Sequence, residues 1–174
     1  MKDAAPKAIF LADYTPPTYL IDSVRLEFRL DPLRTRVKSA IRFRPNPEAS
    51  DRRFFLHGEG LTLISATVDG APADVREVEG GLEADVPDGP FLWEAEVEIA
   101  PEKNTALEGL YMSNGMYCTQ GEAEGFRKIT YYPDRPDVLA PFAVRGEGDA
   151  PILLSNGNPG EAGKGFAEWD DPWP

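Results

Sequence analysis

The residue types able to do chemistry crowd into one stretch, Tyr117 to Leu139, which reads YCTQGEAEGFRKITYYPDRPDVL. It holds the single cysteine, Cys118, the carboxylates Glu122, Glu124, Asp134 and Asp137, and the basic residues Arg127, Lys128 and Arg135. It has neither the two-residue period of a strand nor the 3.6-residue period of a helix. Irregular segments carried on a rigid scaffold are where binding and catalysis concentrate. Gln120 and Glu122 stand two residues apart. In an extended segment that spacing puts both side chains on one face. A carboxylate beside an amide suits an ammonium ion, because hydrogen bonds between charged partners are the strong ones. A peptide N-terminus is such an ion. The same pair is also what a solvated edge strand carries, and the spacing alone does not separate the two readings.

Several chemistries are excluded by what is missing. His57 is the only histidine, so a Ser-His-Asp or Cys-His arrangement would have to use it. No GxSxG frames a serine, and no GxxxxGK[ST] loop offers a phosphate cradle. Cys118 lies in a predicted strand with no motif around it and reads as a small buried thiol. His57, at a strand end beside Gly58, reads as a partly exposed loop histidine. A catalytic zinc normally takes three protein ligands, which His57 and Cys118 do not supply, so no metal site is expected in this chain. Glu122 and Glu124 could work as an acid–base pair, but carboxylates are too plentiful here to single them out. No catalytic residue is therefore assigned within the chain.

The elements that must position this stretch follow from the rest of the sequence. The chain has 174 residues, enough for a single domain, and a formal net charge of −12. That charge argues against nucleic acid, whose phosphates require clustered Lys and Arg, and against an anionic membrane surface. No window reaches the roughly 18 apolar residues of a membrane span. The opening MKDAAPKAIFLADYTPP has no long apolar core of the secretory type. One cysteine permits no internal disulfide. Together these predict a cytoplasmic protein.

Alternating runs predict an all-β, mostly antiparallel sandwich or saddle. After an extended arm over Met1 to Pro17, Val24, Leu26, Phe28 and Leu30 face one way and Ser23, Arg25, Glu27 and Arg29 the other. Val37, Ile41 and Phe43 oppose Arg36, Lys38, Arg42 and Arg44, giving an antiparallel partner. Shorter strands are predicted at 53–56, 61–68, 73–78 and 82–86, with Asp69-Gly70 as a hairpin turn. Phe91, Trp93, Ala95, Val97 and Ile99 alternate with Glu94, Glu96 and Glu98, the glutamates forming a solvated face. Further strands are predicted at 111–112, 116–118, 142–145, 152–155 and 165–169. The only helical candidates are single turns at 123–128 and 136–140. Trp93, Trp169 and Trp173 could in principle stack on a sugar, though Trp93 alternates with core residues.

The run CTQGEAEGFR followed by ITYYPDRPDVLA and LLSNGN, with NTALEGLY, DYTPPTYLIDSVRLEFRLD and EWDDPWP, resembles the aminopeptidase N family of gluzincin-type zinc metallopeptidases. It looks most like the bacterial alanyl aminopeptidase branch. The resemblance spans essentially the whole chain. It implies that residues 1–174 form a single N-terminal β domain, ending before a thermolysin-like catalytic domain that carries the GAMEN and HExxH motifs and the zinc. It implies an enzyme that releases N-terminal residues from peptides, with small, basic or apolar ones preferred. In the family's QxE element the glutamate binds the α-amino group of the substrate and the glutamine lines the S1 pocket. By motif match these roles fall on Glu122 and Gln120, as substrate-binding residues, while Glu124, Arg127, Tyr131 and Asp134 hold the loop in shape. The implied partners are the catalytic domain of the parent enzyme and the N-terminus of a peptide substrate; zinc belongs to the parent, not to this chain. Gly121 departs from the pattern, standing where relatives carry a larger residue, and implies a more flexible loop. The region 146–166 looks trimmed. The alternative, also compatible with the resemblance, is a non-catalytic interaction module built on the same fold.

Overall fold

The computed structural model describes residues 10–172. In chain order the strands are β1 (Tyr19–Arg29), β2 (Thr35–Pro45), β3 (Phe55–His57), β4 (Thr62–Val68), β5 (Ala71–Pro72), β6 (Val75–Val78) and β7 (Gly81–Ala84). They continue as β8 (Phe91–Ile99), β9 (Gly109–Ser113), β10 (Met116–Gln120), β11 (Phe142–Glu147), β12 (Asn158–Gly163) and β13 (Phe166–Asp171). An eight-stranded sheet has the order β12-β13-β11-β1-β2-β8-β4-β5; a second sheet has the order β3-β7-β6; β9 and β10 form a hairpin. All pairings are antiparallel except β1 with β11. The class is all-β, as predicted.

The long strands form because their inward positions are apolar every second residue. In β2 the side chains of Thr35, Val37, Ser39, Ile41 and Phe43 are buried, and in β8 those of Phe91, Trp93, Ala95, Val97 and Ile99. The register sets Val37 against Val97, Ile41 against Trp93 and Phe43 against Phe91. In β1 the inward set changes from odd to even numbers, Tyr19 and Ile21 and then Val24 and Leu26, because a bulge falls between Ile21 and Ser23. The second sheet closes the core. Phe54 packs against Phe43 at 5.1 Å, Phe91 at 5.3 Å and Trp93 at 5.4 Å between ring centroids, and Leu56 and Leu82 are fully buried. Gly81 lets β7 run against β3, since a Cβ there would strike the Leu56 carbonyl.

The glutamate face of β8 points outward, but it is more than solvated. Glu98 accepts from Arg36 Nε at 3.0 Å and Glu96 from Arg36 Nη1 at 3.1 Å, with Lys38 3.8 Å from Glu96 and Arg34 3.4 Å from Glu98.

Three predicted elements are corrected. Residues 152–155 form no strand, and Ile152 and Leu154 are exposed. The strand lies later, at β12, where the Lys164-Gly165 turn sets the register against β13. The sequence NPGEAG hides this strand because Pro and Gly are poor strand formers. Residues 136–140 form no helix, only a tight turn closed by the Val138 N–H on the Arg135 carbonyl at 3.2 Å; the residue before a proline avoids the helical region. The single helical turn expected at 123–128 is present, as the 3₁₀ turn Phe126–Lys128. The arm carries a 3₁₀ turn at Leu11–Asp13, and its first nine residues lie outside the described range. Trp93 is wholly buried and Trp169 nearly so, which removes them as sugar platforms; Trp173 lies outside the described residues. Among the described residues no helix is long and apolar enough to cross a membrane.

Candidate functional site

The β9–β10 hairpin is built on Asn114-Gly115, both with positive φ (49° and 79°), the backbone a tight two-residue turn requires. Its last pair is Gln120 with Gly109. Beyond Gln120 the chain turns sharply, with the Gly125 N–H donating to the Gly121 carbonyl at 2.8 Å. Gly125 sits so close to the Gln120 carbonyl that no side chain fits, and the Gly109 backbone nitrogen is 3.0 Å from where its Cβ would be. The Glu122–Ala123 peptide is cis. Gln120 is the last residue of β10 and Glu122 opens the turn, so the extended segment that would set the two on one face ends between them.

The far side of the loop is clamped. Asp134 Oδ2 accepts from the Arg127 N–H at 3.1 Å and from Arg127 Nε at 3.0 Å, and the Asp134 carbonyl accepts from Nη2 at 3.1 Å. Glu124 lies 3.5 Å from Arg127 Nη2. The Arg127 and Asp134 side chains are only 17% and 12% exposed, so this pair is far better shielded than the ladder on β8. Lys128 pairs with Glu59 and lies 3.7 Å from Glu108. Thr130 Oγ1 donates to Ser39 Oγ at 3.2 Å in the core, joining the loop to β2. The Tyr131 ring covers Gly58, where a Cβ would collide with it.

His57 completes the clamp. Its N–H donates to the Tyr132 carbonyl at 2.9 Å and its carbonyl accepts from the Tyr132 N–H at 3.1 Å. Its Nδ1 accepts from the Asp134 N–H at 3.1 Å. Burial, and then the nearby Arg127 guanidinium, hold its pKa below the ordinary imidazole value. Burial pushes the Tyr132 phenol well above its usual range, with Asp134 adding to the effect. His57 is thus a strand residue engaged on backbone and ring, rather than a loop histidine. Nothing in the sequence signals this, because the partners lie 77 residues apart.

Against this bound framework Gln120 and Glu122 are both exposed. Among the described residues neither side chain has a hydrogen-bond or ion-pair partner, whereas Glu124, two residues on, is held by Arg127. Glu122 is thus a carboxylate presented to the outside on an anchored turn. Cys118 is half-buried in β10 rather than fully buried. A cavity of about 540 Å³ with a mixed lining lies beside His57, Arg53 and Arg135, and a more apolar one of about 380 Å³ is walled by Phe28, Tyr117, Phe126 and Phe142. Gly121 borders the second, but Gln120 and Glu122 line neither. Among the described residues no three His, Cys, Asp or Glu side chains converge on a metal-sized site.

Residues 16–170 match the peptidase M1 N-terminal domain. The chain is 47% identical over 185 residues to an aminopeptidase N of Caulobacter vibrioides, all of this chain against 21% of that protein. It is 43% identical over 178 residues to an aminopeptidase N of Escherichia coli, covering 97% of this chain and 20% of that one. It thus spans about a fifth of the length of these relatives. The fold superposes on a crystal structure of Legionella pneumophila aminopeptidase A in complex with aspartic acid with a TM-score of 0.82, at 29% identity over 94% of this chain and 21% of the other. Native leukotriene A4 hydrolase from Saccharomyces cerevisiae shares the fold with a TM-score of 0.75 at 16% identity, over 97% of this chain and 30% of that one. The chain therefore belongs to the peptidase M1 N-terminal domain family.

Proposed function

We propose that this domain supplies the substrate-anchoring wall of a cytoplasmic zinc aminopeptidase, with Glu122 binding the α-ammonium of a peptide and Gln120 bordering the S1 pocket. The observation that carries the reading is the unengaged Glu122 carboxylate on a turn closed by the Gly125-to-Gly121 backbone bond and followed by the Arg127–Asp134 clamp. A preorganised anion of this kind recognises a cation without first breaking an internal ion pair. Holding the ammonium at one fixed point confines cleavage to the first peptide bond, which is what distinguishes an aminopeptidase from an endopeptidase.

The residues of this chain do not fit a catalytic zinc. His57 Nδ1 is occupied by the Asp134 N–H, and Cys118 stands on another element. The metal and the general base would lie in the remainder of a longer protein, with which this domain shares the cleft. In that full-length protein Glu122→Ala is expected to lower kcat/KM on an alanyl anilide by roughly 10- to 100-fold, mainly through KM, as for the loss of a charge-assisted contact. Unchanged kinetics would overturn the assignment. The 174-residue chain alone is expected to bind no stoichiometric zinc and to hydrolyse no alanyl anilide, which metal analysis and a chromogenic assay check directly.

A further inference from the structure

We infer that His57 is a positioning residue for the turn that presents Glu122, and that it does so only as a neutral imidazole; this rests on the anchoring reading of Glu122. The geometry is a chain of contacts from β3 to the turn. Backbone bonds in both directions between His57 and Tyr132 fix where the loop returns to the second sheet. The ring then reaches one step further, its Nδ1 accepting the Asp134 N–H at 3.1 Å. Asp134 holds Arg127 through its carboxylate and its carbonyl, and Arg127 holds Glu124, two residues from Glu122. Arg127 is fixed from the other side as well, since its carbonyl accepts the Glu59 N–H at 3.0 Å.

A neutral imidazole with its proton on Nε2 has an acceptor at Nδ1; the imidazolium has none. Protonation would set an N–H against the Asp134 N–H and place a second cation beside Arg127. The charged groups facing His57 are Arg127, Asp134 and Glu124 from the loop. Arg53, Arg135, Glu48 and Asp51 share the cavity that it borders. Burial and Arg127 outweigh the opposing carboxylates, so the fold favours the neutral ring. His57 touches neither Gln120 nor Glu122; it acts through the clamp.

The test uses the full-length protein with His57→Leu, which removes the acceptor, and His57→Asn, which keeps an oxygen acceptor near the same place. His57→Leu is expected to raise KM for an alanyl anilide by roughly 3- to 30-fold with kcat nearly unchanged, the size of effect that indirect positioning carries. His57→Asn is expected to recover most of that loss. Adding His57→Leu to Glu122→Ala is expected to cost nothing further. Below the ordinary imidazole range KM should rise in the wild type and stay flat in His57→Asn, a comparison that decides the matter even where His57→Leu does not fold. Multiplicative effects in the double variant, an unchanged KM in a folded His57→Leu, or identical pH profiles would overturn the proposal. Imidazole ¹H–¹⁵N correlations at neutral pH read the hydrogen bond apart from activity. An Nε2–H tautomer is expected, and an Nδ1–H tautomer would overturn the positioning contact. An unchanged KM in Glu122→Ala with the Nε2–H tautomer present would overturn the anchoring reading alone.

Discussion

At the scale of single residues, two glycines in one turn behave in opposite ways. Gly125 has an ordinary backbone conformation, yet a Cβ would run into the Gln120 carbonyl. Gly121 has nothing within 4 Å of its Cβ position and no positive φ. Gly121→Ala should therefore be accepted and stabilise the chain by about 0.4–1 kcal/mol, through lower entropy of the unfolded state. Gly125→Ala should destabilise it by more than that gain and shift Gln120. Thermal unfolding of the two variants side by side checks both. The flexibility implied by Gly121 is thus backbone freedom at an open position and not missing packing. Thr130 gives a second case. Its hydroxyl meets Ser39 in the core, so Thr130→Val leaves a buried hydroxyl without its partner and should cost about 1–3 kcal/mol by denaturant titration. Gln120, Glu122 and the rest of the motif are legible in the sequence because the motif is a continuous string of residues. The Ser39–Thr130 pair is not, because a Ser and a Thr 91 residues apart carry no pattern.

At the scale of elements, ion pairs differ by where the fold puts them. The ladder between β2 and β8 is cross-strand and partly solvated, with Arg36 30% exposed and Lys38 46%. Arg36→Ala should cost no more than about 1 kcal/mol, and less in high salt. The Arg127–Asp134 clamp is shielded and joined to backbone groups, so Asp134→Ala should cost more, about 1–3 kcal/mol, and depend little on salt. Urea titrations at two ionic strengths separate these outcomes. Strands β1, β2 and β8 could be read from alternation because one face is buried on each. β12 could not, since all its residues are exposed and its pairing is decided by the turn to β13. Residues 152–155 mislead for the opposite reason: an apolar run predicts a strand, but no neighbouring strand takes it up.

At the scale of the molecule, acid acts through groups the fold has shifted. His57 has a folded pKa below its ordinary value of 6.5. Above 6.5 both folded and unfolded chains hold it neutral, and stability is at its full value. As pH falls through 6.5 toward the depressed value the unfolded chain takes up the proton first, so stability declines. Asp137 is held below the ordinary carboxylate value of 3.8, first by its hydrogen bond from Arg135. Its contribution is present above 3.8 and is lost as pH falls through the lowered value. Denaturant midpoints of the 174-residue chain should therefore drop in two steps, one starting near pH 6.5 and absent in His57→Asn, the other below pH 4. With a formal net charge of −12 at neutral pH, added salt should stabilise the chain near pH 7 by screening self-repulsion, and much less near its isoelectric point of about 4.5.

The sequence by itself determined the all-β class, the long strands and their buried faces, and the family, because alternation is a local property and the motif is a string of side chains. It also pointed to Glu122 and Gln120, through the match to the family's QxE element rather than through residue type or spacing. Only the tertiary structure decided that Glu122 lies past the strand end in a turn, that Glu124 is engaged while Glu122 is not, and that His57 closes the clamp. Those facts depend on which distant backbone groups meet. That meeting is settled by register, bulges and close glycine contacts between elements rather than by the pattern along any one of them.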